Sequence, residues 1–395
     1  MGDVIKDILM GKIFGGGGTS SGGGDTEESG TTGIAAKDVN FYDYDGALLH
    51  AYTVAEAQAL TELPAGPTHD GLTFQGWNWS LENVKALTRP MNIGAMYITD
   101  DGKTRLYITL QEGRTSPILG GGVNGTVKVD WGDGTEPDVL TGTNLNTIQW
   151  TPNHAYAAPG DYVITLAVDG EMTLIGNSST NGYAYILRHT SGSDKRNSVY
   201  QNALRKAEIG ENVRVRVYAF AGCSNLASVI LPDCVVSIEG SAFLNCYGLT
   251  WVNIPNGMTE IAASTFTECH ALKLVCLPER LASIGGTSFK NCYSLLSVTM
   301  PASMTSIAAN AFRDCHGIAF VVMPSGVASV DAAFYYCYGV GVYDFTACAA
   351  VPTLASSMGF SGIADDCEIR VPAALYDEWI AATNWATYAS QIKAY

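Results

Sequence analysis

The chain has 395 residues, 47% apolar and 15% charged, which excludes general disorder and leaves room for about two to four domains with sizeable cores. Lys and Arg number 22 against 38 Asp and Glu, and a net charge of −16 repels phosphate backbones and anionic headgroups. Nucleic acid is therefore not an expected partner, and with no apolar run of about eighteen residues neither is membrane insertion.

The first segment, 1–37, opens with Val4, Ile5, Ile8, Leu9 and Ile13 on one helical face, and Gly15–Gly18 end the pattern. Gly, Ser, Thr and acids then run to Gly33 as a tether. The segment reads either as an anchoring peptide that docks the rest on a larger body or as a disordered tail. Asp3, Lys6, Asp7 and Lys12 interrupt the apolar pattern, so a signal peptide is not expected, and synthesis without an ordinary export route is.

Residues 38–92 begin with a strand, an Asp45-Gly46 turn and a second strand, followed by a short helix pattern at 54–63 and a further strand ending in Trp77 and Trp79. The Asp43-Tyr44-Asp45-Gly46 turn, the segment from Pro64 to Gly71 and Phe74-x-Gly76-Trp77 resemble the small β-grasp repeats of bacterial surface proteins. That resemblance implies a spacer, with the two tryptophans as core residues or, alternatively, as a platform for sugar.

Residues 93–175 alternate as strands. Trp131-Gly-Asp-Gly134, His154-x-Tyr156 and Pro159-Gly160 resemble a PKD-type immunoglobulin-like sandwich, which is the fold implied. Asp130 and Asp133 either shape the turn or offer two ligands to calcium, too few to define a site. Residues 176–202 are polar, lack a sustained period and read as a junction.

From 203 to 346 the chain repeats. Phe220, Phe243, Phe266, Phe289 and Phe312 recur every 23 residues and Phe334 follows after 22. Each is followed three residues on by a cysteine: Cys223, Cys246, Cys269, Cys292, Cys315 and Cys337. An apolar residue, a Val-centred strand and a proline (Pro232, Pro255, Pro278, Pro301, Pro324) complete the units. Fixed-period self-similarity predicts a solenoid whose coils bury their apolar sides on one another. The units resemble BspA-like leucine-rich repeats, though proline stands where that pattern more often has Asn or Cys. Residues 347–395 contain a strand and a helix pattern suited to cap the last coil. The expected fold is mostly β and multidomain: a β-grasp-like module, an Ig-like (PKD) sandwich and a leucine-rich-repeat solenoid with a C-terminal helical cap.

Stacked coils lie ~4.8 Å apart with parallel Cβ directions, so the six cysteines are expected to form a buried ladder of reduced thiols. A disulfide, or a metal or nucleophilic role, is the alternative; no C-x-x-C pair occurs, and no metal or cofactor is expected. Outward strand positions carry Trp251, Leu274 and Phe320, an apolar face awaiting a partner, another subunit or the preceding module. The residue after each ladder cysteine gives a second stripe: Ser224, Tyr247, His270, Tyr293, His316 and Tyr338. These rings either stack on one another or take sugar rings. His270 and His316, ~9–10 Å apart, cannot share one metal. Tyr247, Trp251, His270, Tyr293, His316, Phe320 and Tyr338 are the candidate ligand-binding residues.

No phosphate loop, H-E-x-x-H or G-x-S-x-G motif occurs, and an enzyme is not expected. The order peg, spacer, sandwich, solenoid is that of an adhesion protein. The N-terminal peptide favours a virion-attached bacteriophage fibre or decoration, on head or tail. Such a protein binds a host-surface glycan or protein through its repeats and acts outside the cell. The alternative is a bacterial cell-surface leucine-rich-repeat adhesin. A homo-oligomer is left open.

Overall fold

The computed structural model describes residues 34–174, 186–188, 200, 202–330 and 332–395. The anchoring residues Val4, Ile5, Ile8, Leu9 and Ile13 and most of the junction lie outside them.

Strands β1 (Val39–Tyr42) and β2 (Leu48–Tyr52) form the expected hairpin, with Gly46 at φ +88° in its turn. Helix α1 (Val54–Gln58) starts at a capping box: Thr53 accepts from the Glu56 N–H, and Glu56 accepts from the Thr53 N–H. Strand β3 (Leu72–Trp77), helix α2 (Leu81–Lys85) and strand β4 (Met91–Thr99) complete a four-stranded sheet of order β2-β1-β4-β3. The boundary expected at residue 92 cuts through β4 and moves to follow Thr99. The physical reason is that β4 lies between β1 and β3 and is buried on both faces, so it reads as one apolar run. Trp77 and Trp79 are buried, and their indole N–H groups donate to the carbonyls of Pro64 and Leu277. They are core, not platform.

Strands β5 (Thr104–Leu110), β6 (Ile118–Asp130), β7 (Asp138–Trp150) and β8 (Gly160–Leu174) pair antiparallel in the order β5-β8-β6-β7. The free edge of β5 pairs antiparallel with Leu204–Glu208, which pairs parallel with Ser228–Ile230, and so on through Trp251–Asn253 to Leu274–Cys276. The middle strands thus share a ten-stranded sheet, and one continuous hydrophobic core, with the repeat array. At the turn, the Trp131 indole stacks on His154 at 4.5 Å and donates to Asp138. Asp133 accepts from Thr135 and from His154 at 2.8 Å, while Asp130 accepts from the Gly132 N–H. Burial alone would raise the Asp133 pKa, but the Thr135 and His154 hydrogen bonds outweigh it and hold the carboxyl below its ordinary value. Both acids are committed to the turn.

In the array the six phenylalanines form a buried stack with centroids 5.2–5.3 Å apart and planes within 13°, continued by Phe360 at 6.1 Å. Offset stacking adds to the apolar area each ring buries. Each coil turns twice through left-handed backbone, at Ser241 and Asn245, Ser264 and Glu268, Thr287 and Asn291, and Asn310 and Asp314. Short side chains that bond their own backbone tolerate this region best, which is why Asn and Asp recur before the cysteine. A second parallel ladder of two-residue strands runs from Glu260–Ile261 to Ser329–Val330.

The last coil is covered by Glu368–Val371, the short helix α3 (Tyr376–Ala381) and a closing strand Ile392–Ala394. That strand pairs parallel with Glu368–Val371 and begins at Ile392, the last residue of the strand-and-helix pattern read from the sequence. Trp379 and Trp385 fill the end of the core.

Candidate binding surface

The cysteine ladder is reduced: all ten thiols are free, nine of them buried and Cys234 exposed. The Sγ–H of Cys246, Cys269, Cys292, Cys315 and Cys337 donates to the carbonyl of Phe220, Phe243, Phe266, Phe289 and Phe312 in the preceding coil, at 2.9–3.3 Å. Burial pushes Cys223 up to about 12 and Cys246, Cys269 and Cys315 well above the ordinary thiol range. These groups are protonated, packed and bonded, and are not nucleophiles. Among the described residues no cluster of three or more His, Cys, Asp or Glu side chains suits a metal.

The apolar sheet face has a partner within the chain. The first module lies along it: Tyr42 packs on Trp251 at 4.9 Å, and Gly46 and Gly94 leave room for Trp251 and Asn253, where any Cβ would come within 2.5 Å of those side chains. Asn78, fully buried, donates to the carbonyls of Ile254 and Cys276 and accepts from the Gly94 N–H. Asn253 donates to the Ala95 carbonyl at 2.7 Å. Arg89 donates to the carbonyls of Met300 and Met323, and Ser80 to Glu279. Trp251 and Phe320, candidates by sequence, are only 5% and 8% exposed. They leave the candidate set because a covered face cannot meet an outside ligand.

The outer stripe is different. Tyr247, Tyr293 and Tyr338 are 43%, 40% and 53% exposed, with His270 and His316 between them. Neighbouring centroids are 4.7, 4.7, 5.4 and 5.3 Å apart, and the planes tilt by 22–35°. The rings therefore cover one another's faces and present their edges, a row of hydroxyls and ring nitrogens. His270 bonds Glu268 at 2.7 Å, and His316 lies 3.7 Å from Asp314. Burial, then the nearby Glu268 and Asp314 carboxylates, raise the Tyr293 phenol. At the far end Tyr338 is backed by Tyr336 at 5.6 Å, and a Cβ on Gly362 would meet its ring. At the near end Tyr247 faces Ser224, which carries no ring.

Beside Ser224 lies a cavity of about 120 Å³ lined by Thr109, Gln111, Arg114, Tyr200, Asn202 and Asn225, with Leu110 and Ala203. Sequence reasoning missed these residues, because three segments up to 116 positions apart meet there only through the pairing of β5 with Leu204–Glu208.

Residues 213–340 match the family model described as BspA type leucine rich repeat region, in six copies. That stretch is a BspA-type leucine-rich repeat region. Solved structures similar to the chain are leucine-rich repeat proteins of bacteria. One, from T. pallidum, is 26% identical over 48% of this chain and 87% of its own, with a TM-score of 0.37. A Bacteroides ovatus protein is 21% identical over 53% and 56%, with a TM-score of 0.35. A leucine rich cell surface protein of Faecalibacterium prausnitzii is 19% identical over 51% and 86%, with a TM-score of 0.22. No curated protein matches. The BspA-type array holds every candidate residue that stays exposed: Tyr247, His270, Tyr293, His316 and Tyr338.

Proposed function

We propose that this protein is a bacterial cell-surface adhesin, a non-catalytic binder that meets its partner along the outer edge of its repeats. The observation that carries the reading is the six-copy BspA-type array, whose sheet face is covered from within while its outer stripe of tyrosines and histidines is exposed. Stacked rings lose little side-chain freedom on binding, which favours recognition by a fixed row of polar edges. A glycan or a protein on another cell fits such a row. The bacteriophage-fibre reading rests on residues 4–13, outside the described structure, and gains nothing from the repeats.

Two measurements test the proposal. Fractionation of the source bacterium is expected to place the chain in the cell envelope; recovery only in purified phage particles overturns the surface reading. Fluorescently labelled protein is expected to bind target cells, and Tyr247→Ala with Tyr293→Ala to weaken binding at least tenfold while circular dichroism is unchanged. Undiminished binding by the folded double variant sinks the stripe as the recognition surface.

A further inference from the structure

We infer that the cavity at the head of the stripe takes the carboxylate of an acidic sugar whose ring rests against the free face of Tyr247. The inference rests on the adhesin reading and deepens it by naming the ligand class.

Three observations converge there. First, Tyr247 is the ring of the stripe with an uncovered face: His270 stacks on one side at 4.7 Å, and on the other the equivalent position is Ser224. The Gly248 backbone sits directly on Ser224 and Asn225, where a Cβ would come within 2.8 Å of the Ser224 carbonyl. One coil step, ~4.8 Å, therefore separates Tyr247 from a residue that lines the cavity. A pyranose ring offers C–H groups to an aromatic face and hydroxyls to its rim, and the site supplies both surfaces.

Second, the lining is polar and rich in amides. Gln111, Asn202 and Asn225 are exposed, and Asn225 is fixed by its bond to the Asn202 carbonyl at 2.8 Å. The Ser224 hydroxyl bonds the Asn202 side chain at 2.5 Å, which ties the stripe's first position to the cavity wall. Amides that donate and accept suit sugar hydroxyls, which do the same.

Third, among the described residues of the lining the one charged side chain is Arg114. Its backbone is held by the Gln111 carbonyl, yet its guanidinium makes no ion pair or hydrogen bond with any described residue. An arginine with no carboxylate partner among the described residues is a cation suited to an outside anion. Asp161, which pairs across from Thr109 on the neighbouring strand, accepts instead from the Thr109 hydroxyl at 2.7 Å. A volume of about 120 Å³ holds a carboxylate and its neighbouring ring atoms, leaving the rest of the sugar over Tyr247. A peptide carboxylate would satisfy Arg114 and its backbone the amides, so it is the uncovered face of Tyr247 beside them that favours a sugar ring.

The test uses the full chain and two probes, oligosaccharides ending in glucuronic acid and in N-acetylneuraminic acid, each with its methyl ester. Calorimetry is expected to show the free acids binding at least tenfold more tightly than the esters. Arg114→Gln is expected to remove that preference, a loss of roughly 10–100-fold for the acids. Tyr247→Ala should weaken acid and ester alike, and Arg280→Gln, the same charge change elsewhere, should change neither. Esters that bind as well as acids, an Arg114→Gln protein that binds as the parent does, or no binding of either acid overturns the inference. A C-terminal peptide that binds where both sugars fail overturns it in favour of a protein ligand. If Arg114→Gln still binds cells while Tyr247→Ala with Tyr293→Ala does not, the inference fails and the adhesin reading stands.

Discussion

At the scale of single residues, the thiols show how a small polar group becomes structural when it repeats. Cys246, Cys269, Cys292, Cys315 and Cys337 each fill the space beside a phenylalanine and give the phenylalanine carbonyl of the preceding coil a second hydrogen bond, beside the backbone N–H of the cysteine in that carbonyl's own coil. Cys292→Ala is expected to cost about 1–2 kcal/mol from the void and the lost bond, read from urea unfolding. Iodoacetamide is expected to modify only Cys234 in the folded chain and all ten thiols after denaturation. The pH dependence follows from the raised thiols. In the unfolded chain they ionise near 9.0, whereas in the fold Cys223 holds its proton to about 12 and others hold theirs beyond the ordinary range. Above pH 9.0 the folded state therefore binds more protons than the unfolded one. Stability is complete below that value and is lost as pH rises toward about 12. Urea midpoints that stay flat from about pH 8 to about pH 11 would count against buried, neutral thiols. The period made the ladder legible in the sequence. The bonds to phenylalanine carbonyls were not, because they depend on the left-handed turn at Asn245, Glu268, Asn291 and Asp314 that aims each sulfur at the coil before it.

At the scale of the coil, the stacked phenylalanines and the paired left-handed turns determine stability in opposite directions. Phe266, with no exposed surface and rings on both sides, is expected to cost about 3–5 kcal/mol when replaced by alanine. Ser241 sits at φ +59° without a side-chain hydrogen bond to any described residue, so Ser241→Gly is expected to stabilise by about 0.5–1 kcal/mol through relief of the left-handed backbone. A raised urea midpoint in the first variant, or a lowered one in the second, would contradict this account. The coil itself was plain from the 23-residue spacing. The closing strand Ile392–Ala394 was not, because its few residues show no alternation and find their place only by pairing with Glu368–Val371.

At the scale of the molecule, the first module, the middle strands and the repeats act as one body. Asn78 has no exposed surface, and its partners lie 176 and 198 residues away. Asn78→Ala leaves the Ile254 and Cys276 carbonyls and the Gly94 N–H without this partner and is expected to cost about 2–4 kcal/mol. Calorimetry should show the loss as a shift of a single transition; a separate early transition for the first module would show that it is only loosely held. Trp251, Leu274 and Phe320 announced in the sequence that something covers the sheet. What covers it was hidden, since Asn78, Trp79 and Arg89 carry no pattern that points to residues so far along the chain.

The same clamp gives the array a fixed gauge. Solenoids commonly gain or lose whole repeats, because each coil sees only its neighbours. Here Asn78 reaches the coil of Ile254 while Arg89 reaches that of Met323. Duplicating or deleting a repeat between those two points would slide one grip off its carbonyl while the other held. Growth of this protein by copying is therefore barred between those coils, and the stretch from Ile254 to Met323 beneath the first module is locked at its present number of turns.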